Sequence, residues 1–256
     1  MKAGPAVAVV LVEPSGPRNV GGVARAIANF SGDALQLRLR LVAPRCDPCG
    51  DEARQMAVHA ASVLESAQVF PSLAAALADC GRVVATSGRG EGEPTLPCAP
   101  DEALGWLLSA ADGAGTAVVF GREDRGLSRD ELLMAGRLLT IDTGGDYSSL
   151  NLAQAAAVVL HRLRVLSQGA TSAAAGFGGE AEPARRDRLE ALLADAESLL
   201  LEVGFLHPHT AHARMVKVRG LLQRGQVDDG EVALLRGMVR QLRWACRRLP
   251  QDERTP

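Results

Sequence analysis

The chain has 256 residues, 47% of them hydrophobic and 23% charged, which suits one large soluble domain or one domain with a small partner. Its 28 Lys and Arg against 30 Asp and Glu leave a net charge of −2, so a broad basic surface is excluded. With 3% aromatic residues, a stacking platform for single-stranded bases is excluded too, and any contact with nucleic acid has to work through local patches.

The first residues, MKAGPAVAVVLVEP, hold a short apolar stretch that stops at Glu13 and Pro14 without a small-residue cleavage site. It reads as a buried strand of a cytoplasmic protein and not as a leader. No apolar run reaches the ~18 residues of a membrane span, so no membrane association is expected. An odd count of five Cys fits a reducing compartment. Cys46 and Cys49 form a CxxC, but Cys80, Cys98 and Cys246 are scattered and supply no second ligand pair. His207, His209 and His212 lack acidic or Cys partners nearby, so no metal is expected at either place.

Apolar runs at 6–12, 35–42, 82–86, 116–120 and 138–141, with a weaker one near Val69 and Phe70, predict strands. Helical patterns cover 19–30, 51–66, 72–79, 101–110, 128–135 and 150–166. This alternation predicts an α/β fold with a mostly parallel sheet and helices on both faces. In the second strand Leu35, Leu37, Leu39 and Leu41 alternate with Gln36, Arg38 and Arg40, which predicts one face toward solvent. Residues 169–183, GATSAAAGFGGEAEP, have no apolar period and read as a flexible linker. Beyond it, Leu189, Leu192, Leu193, Ala196, Leu199, Leu200 and Val203 recur at helical steps, as do Val232, Leu235, Val239, Leu242, Ala245 and Leu249. With a shorter helix at 214–223, these make a small all-α C-terminal domain of ~70 residues, near the lower limit for folding alone. The organisation is thus 1–168, a linker 169–183 and a helical domain 184–256.

A ligand site in an open α/β sheet lies at the carboxyl ends of the strands. The loop after the first strand, EPSGPRNVGGVARAI, has neither GxGxxG nor GxxxxGK[ST], which disfavours a dinucleotide fold and a P-loop. Three loops concentrate Gly and polar residues directly after strands. The first carries Asn19, Gly21, Gly22 and Arg25, the second is GREDRGLS from Gly121, and the third is GGDYSSLNLAQA from Gly144. Taken singly, each reads as a helix cap or a solvated turn. Together and in this order they resemble the motifs of the SpoU/TrmH class of SPOUT methyltransferases. Glu13, Pro14, Asn19, Gly21 or Gly22, and Arg25 match E-P-x-x-x-x-N-x-G-x-x-x-R. Phe120, Gly121, Glu123, Gly126 and Leu127 match F-G-x-E-x-x-G-L, and Ser149, Leu150, Asn151 and Ala155 match S-L-N-x-x-x-A. YSSLN, TSGR at Thr86–Arg89, LLLEVGF, Met215, Lys217 and LLRGM are similar to the TrmJ subgroup. One departure is Glu91, where that subgroup often has a second Arg.

The resemblance implies a trefoil knot at the end of the sheet and transfer of a methyl group from S-adenosylmethionine to a ribose 2′-hydroxyl. The implied substrate is a pyrimidine, cytidine or uridine, at position 32 of the tRNA anticodon loop, and the implied partners are tRNA and a second copy in a homodimer. It implies donor contacts from Thr86, Ser87, Gly88, Gly121, Ile141, Ser148, Ser149 and Leu150, and catalytic work by Arg25, Asn19, Glu123, Ser149 and Asn151. A guanidinium holds its proton at neutral pH, so Arg25 is assigned to orientation and charge stabilisation, with Glu123 as an alternative proton acceptor. RNA contacts are expected from Arg25, Arg89, Lys217, Arg240 and Arg243; the last two belong to a stripe with Arg236 and Arg247 on one flank of the final helix. The competing readings are an rRNA 2′-O-methyltransferase of the same superfamily, a non-catalytic RNA-binding relative and an unrelated nucleotide-binding enzyme.

Overall fold

The computed structural model describes residues 4–88, 97–110, 113, 115–144, 149–173 and 182–248. The chain divides into two compact units, Met1–Glu180 and Ala181–Pro256.

In the first unit the strands are β1 (Ala6–Val12), β2 (Gln36–Val42), β3 (Gln68–Phe70), β4 (Cys80–Thr86), β5 (Pro97–Cys98), β6 (Gly115–Phe120) and β7 (Arg137–Leu139). They form one seven-stranded sheet in the order β3-β2-β1-β6-β4-β7-β5, and every strand pair in it is parallel. The helices are α1 (Pro17–Phe30), α2 (Asp51–Ala57), α3 (Ala61–Glu65), α4 (Leu73–Leu77), α5 (Pro100–Leu108), α6 (Arg129–Leu132) and α7 (Leu152–Ala173). Strand β1 is an uninterrupted apolar run because both its faces are covered. Val7, Val9 and Leu11 point into a core built with α1, α2, α5 and α7, whereas Ala8, Val10 and Val12 point into a second core with α4 and α6. Because β6 lies between β1 and β4, the chain reverses its direction across the sheet, and the loops leaving β1 and β6 part at the carboxyl edge.

Helix α1 is wedged between two neighbours by adjacent glycines. A Cβ on Gly21 would lie 2.2 Å from the Ala53 carbonyl oxygen on α2, and one on Gly22 would lie 2.8 Å from the Ala153 Cβ on α7. Both positions are needed, each for a different contact. The N-termini of α4 and α6 are capped by Ser72 and by a reciprocal Ser128–Glu131 capping box.

Several predicted boundaries move. The helix expected over 51–66 is interrupted by a 3-10 turn at Val58–Ala60, where Val58 takes φ +56, a value no continuing helix allows. The helix expected at 150–166 starts at Leu152 and runs to Ala173, through residues 169–173 of the segment read as a linker. Of those residues only Gly169 opposes helix strongly, and the alanines favour it. Strand β7 ends at Leu139, which leaves Ile141 outside the sheet. On β2, Arg38 is exposed as expected, but Arg40 lies against α4 and the turn after it, held to Asp79 at 2.6 and 2.7 Å and to the Ala76 carbonyl at 2.6 Å. The two-residue β5 is too short to leave a period in the sequence.

The second unit consists of α8 (Arg186–Glu202), α9 (Pro208–Arg224) and α10 (Asp229–Arg248), packed around Leu189, Leu192, Leu193, Leu206, Met215 and Val232. No helix among the described residues is long and apolar enough to cross a membrane.

Replacing Gly21 by Ala forces a methyl group into the α1–α2 contact and is expected to lower stability by about 1–3 kcal/mol. Urea unfolding checks this, and a midpoint equal to that of wild type contradicts the close approach.

Candidate active site

A cavity of about 330 Å³ opens at the carboxyl edge of β4, β6 and β7. Thr86, Ser87 and Gly88 line it from the end of β4, Gly121 and Glu123 from the loop after β6, Ile141 from the chain after β7, and Ser149 and Leu150 from the approach to α7. Phe120, Leu139 and Leu152 give it an apolar wall. The Thr86 hydroxyl donates to the Val119 carbonyl at 3.1 Å, and the Ser87 amide donates to the Leu139 carbonyl at 3.0 Å, so the rim is pinned to the neighbouring strands. Ser148, Arg89 and Glu91 lie outside the described residues.

The loop after β6 turns back sharply. Arg122 and Gly126 exchange backbone hydrogen bonds at 3.2 and 2.9 Å, and Gly126 has φ +70, a conformation that favours glycine. A Cβ on Gly121 would fall 2.3 Å from the Gly126 carbonyl carbon, so only glycine fits at that position.

Glu123 joins this loop to the one after β1. Its carboxylate accepts from the Ser15 amide at 3.1 Å, the Ser15 hydroxyl at 3.1 Å, the Gly16 amide at 3.0 Å and Asn19 Nδ2 at 3.1 Å. Asn19 Oδ1 in turn accepts from Asn151 Nδ2 at 2.9 Å, and Asn151 Oδ1 accepts from the Ala153 amide at 2.9 Å as the cap of α7. Gln154 completes the cap by accepting from the Asn151 amide at 3.3 Å. One relay of side chains thus connects all three sequence motifs. Burial pushes the Glu123 carboxyl up, but the bonds from Asn19, Gly16 and Ser15 outweigh it and hold the group below its usual range. A carboxylate so engaged is a poor proton acceptor, and the geometry makes Glu123 a positioning group.

A second carboxylate crosses the same gap. Glu13, at φ +44, pairs with Arg122 and Arg45, while Arg122 also holds Glu131 at 2.8 and 2.9 Å. The Arg122 hydrogen bond above all, with the charges of Arg122 and Arg45, lowers the Glu13 carboxyl from 4.5 to about 2. The bonds to Glu131 and Glu13 raise Arg122 further above its already high value. Sequence reasoning gave no role to Arg122 or Glu131. The S-x-x-E capping box at Ser128 was a readable signal for Glu131, but nothing local links Glu13 to a partner 109 residues away.

Arg25 stands exposed on α1, makes no hydrogen bond or ion pair among the described residues, and does not line the cavity. In the second unit Lys217 and Arg240 are likewise exposed and unpaired among the described residues. The rest of the arginine stripe has partners on α8: Arg236 holds Asp195 at 2.8 Å, Arg243 donates to the Asp195 carbonyl at 2.9 Å, and Arg247 reaches Glu202 at 3.4 Å. The spacing of Asp195 and Glu202 on α8 matches that of Arg236 and Arg243 on α10, so the stripe clasps two helices, and Arg243 is committed within its own unit. No group of three or more His, Cys, Asp or Glu among the described residues is placed to hold a metal ion.

A parallel α/β sheet with a glycine-lined cavity at the carboxyl edge of β4, β6 and β7, whose F-G-x-E loop is tied by hydrogen bonds to an E-P loop and through it to an S-L-N helix cap, defines a SpoU-type methyltransferase domain. The SpoU rRNA Methylase family profile matches residues 6–161, and the chain belongs to that family. The profile of the tRNA methyltransferase TrmJ C-terminal domain matches residues 187–254. The chain is 35% identical over 235 residues to the tRNA (cytidine/uridine-2′-O-)-methyltransferase TrmJ of Cronobacter sakazakii, covering 91% of this chain and 94% of the relative. It is 32% identical over 251 residues to the tRNA (cytidine/uridine/adenosine-2′-O-)-methyltransferase TrmJ of Pseudomonas aeruginosa, covering 95% and 96%. Among solved structures, TrmJ from Z. mobilis ZM4 superposes with a TM-score of 0.77 at 32% identity, covering 92% of this chain and 98% of that one.

Because the folded Glu13 value is depressed, its stabilisation is present above pH 4.5 and is lost as pH falls toward 2. Glu13→Gln is therefore expected to be less stable than wild type at neutral pH, with the gap closing through that window. Urea midpoints measured across the window check it, and a gap independent of pH contradicts the ion pairs.

Proposed function

We propose that this chain transfers a methyl group from S-adenosylmethionine to the ribose 2′-hydroxyl of cytidine or uridine at position 32 of the tRNA anticodon loop, acting as a homodimer. The observation that carries the reading is the relay from Glu123, which lines the cavity, through Asn19 to Asn151, which joins the family's three motifs. The cavity fits the donor in size, about 330 Å³, and in kind, since glycine backbone and hydroxyl groups face an apolar wall. Thr86, Ser87, Gly88, Gly121, Ile141, Ser149 and Leu150 would hold it, with Ser148 completing the set.

When bound, the donor supplies an electrophilic methyl group on a sulfonium. The chain's own work is alignment: holding two reactants in line can lower a barrier by roughly 7–11 kcal/mol. Arg25 has no hydrogen-bond or ion-pair partner among the described residues, so it is available to grip a substrate phosphate and to stabilise oxygen as its proton departs. Asn19 sits two turns earlier on the same helix and is fixed at both ends of its amide, which sets the position of α1 and hence of Arg25. Lys217 and Arg240 add phosphate contacts from the second unit. The exposed Val158 and Val165, seven residues apart on α7, supply an apolar stripe for a second copy.

Support for tRNA comes from the second unit's match and from the names of the relatives. A solved structure entitled "Structural insights into the 2-OH methylation of C/U34 on tRNA" is 27% identical and covers 64% of this chain, against 91% for the Cronobacter relative. Position 32 rests on the resemblance of the motifs, YSSLN and TSGR among them, to the TrmJ subgroup. Mapping 2′-O-methyl groups in tRNA incubated with protein and donor tests this; a product at position 34 or in rRNA alone contradicts it. Arg25→Ala is expected to abolish transfer while calorimetry still shows donor binding, and near-normal turnover would refute the role of Arg25.

A further inference from the structure

Around Glu13, three guanidinium groups converge on two carboxylates, while the nearby Glu123 carboxylate is occupied by uncharged donors. Arg122 is shared between Glu13 Oε1 and both oxygens of Glu131, and its side chain is 10% exposed. Arg45 and Arg125 then meet on the single remaining oxygen, Glu13 Oε2, the second of them at 3.8 Å. Three guanidinium groups thus face two carboxylates. Neither Arg45 nor Arg125 has another side-chain partner among the described residues, and their side chains are 52% and 57% exposed. Two like charges on one oxygen repel each other, and the loose 3.8 Å contact of Arg125 is what such competition produces.

Position gives this arrangement a use. Arg125 lines the cavity mouth, and Arg45 is fixed beside it because its backbone amide donates to the Pro14 carbonyl at 2.9 Å. Buried Arg122, held on both sides, anchors Glu13, so the two outer arginines are presented from a rigid base and not from free loops. A phosphate placed between them would give each planar fork an acceptor of its own, where Glu13 Oε2 alone serves both.

We infer that Arg45 and Arg125 form a phosphate site for the RNA backbone next to the methylated ribose, separate from Arg25 and from the arginines of the second unit. This rests on the RNA-methylating reading above. The pair would set the register of the strand at the cavity mouth, contributing affinity without reading sequence. The methionine carboxylate of the donor offers a similar anion, and the test separates the two sources.

Arg45→Gln, Arg125→Gln and the double variant are titrated with an unmodified tRNA transcript over a range of salt concentrations, and separately with S-adenosylmethionine by calorimetry. The double variant should bind tRNA about tenfold more weakly at low salt, with the salt slope reduced by roughly 0.7–0.9 for each lost contact, and donor affinity should hold. Unchanged tRNA affinity and slope overturn the site. Loss of donor affinity in the same proportion assigns the pair to the donor carboxylate instead, and also overturns it. Both substituted side chains are largely exposed, so misfolding is not expected, and unfolding midpoints close to that of wild type exclude it as the cause. If wild type itself leaves tRNA unmethylated, the proposed reaction fails; if wild type is active and the variants bind equally well, only this site fails.

Discussion

The fold of this active site depends on a carboxylate that crosses a gap between two strand ends. The sheet brings β1 and β6 side by side, but the chain beyond them diverges, so nothing in the ladder fixes one loop against the other. Glu123 does so by accepting from both backbone amides of Ser15 and Gly16, from the Ser15 hydroxyl and from Asn19. A partly buried acid with its lone pairs filled is worth more as a fixture than as a proton acceptor, and its lowered pKa follows from the same bonds. Glu13 makes the reverse crossing toward Arg122. Each loop therefore sends one carboxylate into the other.

From this clamp the remaining parts take their places. Asn19 passes the constraint to Asn151 and so to the cap of α7, while Gly21 and Gly22 let α1 lie close to α2 and α7. Helix α1 is thereby held at its start by hydrogen bonds and along its length by backbone contact. Arg25, on its outer side, is left without a partner among the described residues. A positive charge so placed, carried by a rigid helix, suits a group meant for an anionic substrate.

Much of the sheet is legible in the sequence because fully covered parallel strands leave uninterrupted apolar runs, as at Val7–Val12, Val83–Ala85 and Ala117–Phe120. Short elements were not: β5 pairs through two residues, and the 3-10 turn at Val58 has no composition of its own. The segment at 169–183 misled through its glycines, although its first residues extend α7. For the site, the second and third motifs supplied lining residues of the cavity, Gly121, Glu123, Ser149 and Leu150 among them, and the first is tied to them by hydrogen bonds without lining it. What escaped is pairing between loops. Glu13 with Arg122, and Arg243 with Asp195, connect positions far apart in sequence, and a charge's partner cannot be read from its neighbours. The overall balance of −2 hides the result: among the described residues Arg185, Arg188, Arg219, Arg236, Arg243 and Arg247 answer carboxylates of the second unit, whereas Lys217 and Arg240 do not.

A double-mutant cycle between Glu123→Ala and Asn151→Ala, read as kcat for tRNA methylation, tests most directly whether the relay works as one unit. If it does, either change alone releases Asn19 from one end and removes most of what the pair removes, so the double variant is little worse than the weaker single one. Losses that multiply independently would contradict the account, because Glu123 and Asn151 would then act on the reaction by separate routes.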